Sequence, residues 1–208
     1  MKDSLIIIGA SGHGKVVADI AMKMNKWKNI AFLDDNPSLK TSLGLEVVGS
    51  SKHIDIYIKD WDIFVAIGHN ETREKIQKIL EAKKATIPLL IHPNAVIGQE
   101  VSMAAGTVVM AGAVVNSSTQ ISKGCIINTS SSIDHDNLIE GFVHISPGAH
   151  LAGTVKVGHG SWVGIGSVIS NNIEIVRGCI IGAGAVVTKD IKQSGIYVGI
   201  PAKKMEIT

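Results

Sequence analysis

Aromatic residues make up only 4% of this sequence, so any apolar core has to be built from Val, Ile, Leu and Ala. There are two cysteines, Cys125 and Cys179, which is too few for a disulfide framework. Both are expected as buried free thiols in a reducing compartment, and a cytoplasmic location is expected with them. The net charge is only +2, with no basic block or stripe, which argues against nucleic acid as a partner. No apolar run exceeds several residues, so no segment is expected to insert into a membrane. The run Leu5 to Ile8 is too short for the apolar region of a secretory signal and ends in a glycine-rich turn. Five prolines accompany twenty-two glycines, and 45% of the residues are apolar, so the chain is not of the disordered low-complexity kind.

What is present falls into two halves with different periods. Residues 1–90 read as alternating strands and helices, the pattern of a small doubly wound α/β domain with a parallel sheet. Leu5–Ile8 reads as a buried strand, followed by the turn Gly9-Ala10-Ser11-Gly12-His13-Gly14. A helix is expected next, with Val16, Val17, Ile20, Ala21 and Met24 on one face. Ile30–Leu33 and Asp62–Ile67 read as further strands, and Ile87–Ile91 as a last one. Between them Thr72 is expected to cap a helix that turns Ile76, Ile79 and Leu80 inward. Glu74 and Lys78 form an i,i+4 pair on its outer side.

Residues 91–208 follow another rule. From Ile97, steps of six reach Met103, Val109, Val115, Ile121 and onward to Val187, sixteen residues that are all aliphatic or Met. The position two before each is mostly small, as at Thr107, Cys125 and Ser161, and the one just after is often Gly, Ala, Ser or Asn. A period of six cannot keep one face of an α-helix. It describes instead a prism of triangular section, in which each unit supplies one short strand and one corner and three units make a coil. The aliphatic residue points inward and stacks on its equivalent one coil away.

A histidine titrates near neutrality and can serve as a base. His135 is the strongest candidate for that role. It lies two residues past the inward Ile133, at a corner, between Asp134 and Asp136, either of which could fix the imidazole tautomer. A solvated polar corner is the plainer reading. His144 directly precedes an inward residue and therefore projects from a flat wall, as does His150. Each could touch a ligand or simply lie at an interface. In the first half, Ser11, Gly12 and His13 form a strand-to-helix turn whose N–H groups suit phosphate, although the spacing departs from the dinucleotide pattern. Asp34, Asp35 and Gly68 end two further strands at the same carboxyl edge, where open α/β sheets bind ligands.

The stretches IIGASGHGKV, FLDD and VAIGHNETR, with the repeat segment NTSSSIDHDNLIEGFVHISPGAHLAG and the ending GIPAKKM, resemble one family over nearly the whole chain. They are similar to the hexapeptide-repeat sugar acetyltransferases of the PglD/NeuD-like group, which N-acetylate UDP-4-amino sugars or GDP-perosamine, or O-acetylate sialic acid. The resemblance implies a Rossmann-like nucleotide-sugar-binding domain followed by a left-handed parallel β-helix. It implies an enzyme that takes acetyl from acetyl-CoA, needs no metal, works as a homotrimer with sites between subunits and serves surface-glycan synthesis. By position, His135 matches the family's general base and Asp136 the acidic residue that tunes it. Ser11, Gly12, His13, Asp34, Asp35 and Gly68 match nucleotide-sugar contacts. His144, Ile165 and Ala183 match acetyl-CoA contacts, Ala183 through its backbone. The rivals are sialic acid O-acetylation, a zinc site built from His135, His144 and His150 as in β-helix carbonic anhydrases, a nicotinamide-dependent oxidoreductase, and a non-catalytic trimeric scaffold.

Overall fold

A computed structural model describes residues 2–206. The chain forms two compact units, Met1–Pro93 and Asn94–Thr208. No helix among the described residues is long and apolar enough to cross a membrane.

The first unit runs β1 (Ser4–Ile8), α1 (Gly12–Met24), β2 (Asn29–Leu33), β3 (Thr41–Ser42), β4 (Leu45–Gly49), a 3-10 helix (Ser51–Ile56), β5 (Asp62–Val65) and α2 (Asn70–Ala82). The sheet order is β3-β4-β2-β1-β5. β4, β2, β1 and β5 are parallel, and β3 is an antiparallel edge on β4. Leu5, Ile6 and Ile7 are completely buried, as a parallel strand covered on both faces must be. The chain leaves β1 through Gly9, whose φ of +100° suits glycine, and the following turn closes so tightly that a side chain on Gly14 would run into the Gly9 carbonyl.

Several expectations for this unit need correction. Val16 faces solvent, and Ala18 is buried with Val17, Ile20 and Ala21. Thr72 does not cap α2. His69 is the N-cap, and its Nδ1 accepts from the Thr72 N–H at 3.3 Å. Ile79 is exposed, and the buried face of α2 carries Asn70, Arg73, Gln77 and Leu80. Of the strand expected over 87–91, only Leu90–Ile91 is extended. The hairpin of β3 and β4 has no counterpart in the sequence pattern, because β4 is half-exposed and carries no buried apolar run.

The second unit is a parallel β-helix with three walls. The first wall stacks Val96–Ile97, Val114–Val115, Ser132–Ile133, His150–Leu151, Val168–Ile169 and Val186–Val187. The second stacks Ser102–Met103, Gln120–Ile121, Leu138–Ile139, Lys156–Val157 and Glu174–Ile175. The third holds Val108–Val109, Ile126–Ile127, His144–Ile145, Trp162–Val163, Ile180–Ile181 and Ile196–Val198. Within the repeats every strand pairs with the one 18 residues on, as in Val115↔Ile133 and Ile133↔Leu151. Ile127, Ile133, Ile139 and Ile145 are fully buried along the axis, and Cys125 and Cys179 are buried thiols outside any disulfide. The architecture is the left-handed parallel β-helix expected of hexapeptide repeats. Its effect on function is geometric: wall residues form straight columns, and the corner between the first and second walls stacks Ser117, His135 and Gly153 in neighbouring coils.

Candidate active site

His135 occupies the corner between the first and second walls and is exposed. Its Nδ1 lies 2.7 Å from Asp136 Oδ2. Asp136 can turn back onto its neighbour because its backbone is left-handed, with φ +57°, a conformation Asp tolerates better than most residues. Asp134 instead braces the backbone. Its Oδ1 accepts from the His135 N–H at 2.9 Å and from Asn116 Nδ2 at 2.9 Å. Below the corner the buried Asn137 donates through Nδ2 to the carbonyls of Asp134 at 2.7 Å, Ala152 at 3.0 Å and His135 at 3.2 Å. Its Oδ1 accepts from the Val155 N–H at 3.2 Å. The backbone that carries His135 is thereby fixed.

The Asp136 hydrogen bond raises the His135 pKa above the ordinary histidine value, with the charges of Asp134 and Asp136 acting the same way. In the neutral ring the proton sits on Nδ1, facing the carboxylate, and Nε2 is left as an acceptor. Asp134 is held below the usual carboxylate range, mainly by its bond from Asn116.

A cavity of about 400 Å³ lies on the third wall and the corner beyond it. His144, Trp162, Ile165 and Ala183 are among its lining residues. The His144 ring packs on Trp162 with centroids 4.5 Å apart, and His144 Nε2 lies 3.1 Å from Asn128 Nδ2. Trp162 Nε1 donates to Ser146 Oγ at 2.8 Å. Ile165 is 57% exposed, an apolar surface with nothing over it in a single chain. His144, Ile165 and Ala183 thus come together, and sequence reasoning missed Trp162 and Asn128. The 18-residue step from His144 to Trp162 was the available signal. His135 is not brought to this cavity: it sits at the corner facing away from the third wall. His150 lies on the first wall with Ser132 Oγ 2.8 Å from its Nδ1. Among the described residues no group of three His, Cys, Asp or Glu side chains could hold a metal ion.

In the α/β unit, Ser11 is the N-cap of α1 without a side-chain capping bond, and Gly12 and His13 open the helix. Asp34 accepts from the Ala10 N–H at 2.8 Å, and Asp35 from the Ser51 N–H at 2.8 Å and Ser51 Oγ at 3.0 Å. The first bond ties the end of β2 to the end of β1, and the other two tie it to the start of the 3-10 helix. Asp34 and Asp35 line a cavity of about 200 Å³ with Gly9, Ile67 and Thr72. Gly68 follows β5, and its carbonyl accepts from Arg73 at 2.9 Å. Arg73, which sequence reasoning left without a role, is fully buried and also bonds the Ile67 carbonyl and Asn70. Burial, with the Arg73 charge second, lowers the His13 pKa to about 4.

Residues 4–80 match the family model of the PglD N-terminal domain. The acetyltransferase domain of PglB from Neisseria gonorrhoeae, solved in complex with acetyl coenzyme A, superposes with a TM-score of 0.96 at 38% identity, over 99% of this chain and 100% of that one. This chain belongs to the PglD-like sugar acetyltransferases. PerB from Caulobacter crescentus, solved with CoA and GDP-perosamine, superposes with a TM-score of 0.92 at 33% identity, over 98% of this chain and 97% of that one. A GDP-perosamine N-acetyltransferase from Escherichia coli O157:H7 is 26% identical over 173 residues, 80% of this chain and 78% of its own length. PglD-like acetyltransferases therefore account for both units of the chain, and the protein is an acetyltransferase.

Proposed function

We propose that the protein transfers acetyl from acetyl-CoA to the amino group of a nucleotide-linked amino sugar, with His135 as general base. The observation that carries this reading is the 2.7 Å pair of His135 and Asp136, an exposed imidazole whose tautomer and basicity are set by a carboxylate. The amine lone pair attacks the thioester carbonyl as Nε2 takes the amine proton. A tetrahedral oxyanion forms, held by backbone N–H groups. It collapses with loss of the CoA thiolate, which recovers the proton from the imidazolium, leaving an acetamide and free CoA.

Acetyl-CoA lies in the third-wall cavity against His144, Ile165 and Ala183. The nucleotide sugar is held by residues 1–90 through Ser11, Gly12, His13, Asp34, Asp35 and Gly68, and residues 91–208 carry the chemistry. His135 and the cavity lie on different sides of one prism, so we propose a homotrimer in which the corner of one copy borders the cavity of the next. The relatives named above, one solved with acetyl coenzyme A and one with CoA and GDP-perosamine, support this choice of substrates. A cytoplasmic location accords with both substrates.

The test is thiol release from acetyl-CoA against a panel of UDP-, GDP- and CMP-linked sugars, with and without a 4-amino group. The expected product is an acetamide that resists hydroxylamine. Release only with a sugar lacking the amine, giving a hydroxylamine-labile ester, would move the assignment to O-acetylation. No release with any member would overturn it.

A further inference from the structure

The coil register places Gly153 beside His135, 18 residues on in the same corner column. Thr154 N–H donates to the His135 carbonyl at 2.9 Å, so the two corners are held edge to edge. A Cβ built on Gly153 would lie 2.5 Å from both Cε1 and Nε2 of His135 and 3.1 Å from its Nδ1, and these are the three nearest atoms. Real Cβ atoms essentially never come so close, so the ring would have to move.

The glycine is not required by its own backbone. Its φ lies outside the left-handed region, unlike Gly148, where φ is +61° and no atom lies within 4 Å of a Cβ position. At Gly148 the main chain asks for glycine, whereas at Gly153 the neighbouring imidazole does. The ring is exposed, so it can yield outward, away from the position that sets its Nδ1 2.7 Å from Asp136 Oδ2.

We propose that Gly153 is a positioning residue for His135: its missing side chain leaves the slot in which the imidazole lies within hydrogen-bond distance of Asp136. The proposal rests on His135 being the base, and it adds what keeps that base in place. Asp134 and Asp136, on the ring's own corner, are the charged groups that act on it. The adjoining corner residues Asn116, Ser117, Ala152 and Thr154 do not titrate, so the titration of His135 reports its placement against Asp136 and Asp134, the Asp136 hydrogen bond being the largest influence.

The experiment is Gly153→Ala, read by NMR titration of the His135 ring and by steady-state kinetics. The His135 midpoint should fall toward that of an ordinary histidine. The kcat should drop roughly tenfold or more, while KM for acetyl-CoA stays within about twofold. An unchanged His135 midpoint overturns the proposal. Should Gly153→Ala fold poorly, the double variant Gly153→Ala/His135→Ala decides: recovered folding supports a collision with the ring, and persistent misfolding refutes it. The two claims fail separately. Full turnover by His135→Ala would remove the base assignment, while the titration of His135 in Gly153→Ala would still decide the positioning claim.

Discussion

His13 in the α/β unit and His135 on the β-helix sit in opposite environments. His13 is packed near a buried arginine, and burial leaves it neutral down to about pH 4. His135 stands in solvent, and the Asp136 hydrogen bond makes it a stronger base than a free imidazole. Each unit generates its environment by its own means. The α/β sheet gathers loops over the ends of β1, β2 and β5, where Arg73 is enclosed and Asp34 half-enclosed, each bonded to backbone. The β-helix buries an aliphatic axis edged by small polar residues such as Thr119, Ser131 and Asn137, and displays His135 and Asp136 at one corner. Enclosure suits holding a ligand, and display suits proton transfer, which needs a base that both substrates can reach.

The sharpest test of that contrast is His135→Ala. Turnover should fall roughly a hundred- to ten-thousand-fold with the circular dichroism spectrum unchanged, because the side chain leaves no hole in the core. Near-full activity would break the assignment. Next in size is Ile165→Glu, which puts a charge into the apolar cavity of the third wall. Affinity for acetyl-CoA should drop roughly tenfold by calorimetry, with the His135 titration untouched. Unaltered affinity would separate the cavity from the cofactor.

Asp136→Asn should lower kcat by a smaller factor and move the acid limb of the pH–rate profile to lower pH. The sign follows from the role: the base works when neutral, Asp136 raises its pKa, and removing that charge lets it lose its proton at lower pH. A limb that moves up or stays would refute the tuning. The smallest effect belongs to His13. Its pKa falls from 6.5 to about 4 on folding, so below pH 6.5 the unfolded chain takes up a proton that the folded chain refuses. Stability should therefore decline as pH drops from 6.5 to about 4, with a slope of at most one proton. Denaturant titrations across that range should show a flatter slope for His13→Asn. An equal slope would mean that His13 is not enclosed.

The two units also differ in how much of them is legible in the residue order. The repeat announces its own geometry, because a strict period of six leaves only one way to bury the aliphatic residue of every unit. That is enough to place His135 at a corner and His144 on a wall. It does not reveal which side chains touch. The flanking residues by themselves leave the choice between Asp134 and Asp136 open, the family resemblance points to Asp136, and the structure sets Asp136 Oδ2 2.7 Å from the ring. Helix α2 is harder to read. Its apolar pattern suggests Ile79 inside, yet the helix packs against the Ile67 and Gly68 carbonyls, and Arg73 faces inward to meet them. A hydropathy pattern has no means of foreseeing a buried face made of hydrogen bonds.

The order of residues alone determined a parallel α/β unit, a six-residue repeat and a corner histidine with carboxylates on both sides, since each depends on periodicity or on neighbours along the chain. Tertiary structure decided the partnerships that lie 16 to 18 residues apart: Asn128 and Trp162 around His144, and Gly153 beside His135. Those contacts run perpendicular to the chain, between stacked coils, and they depend on side-chain reach and open space that the spacing of residues does not contain.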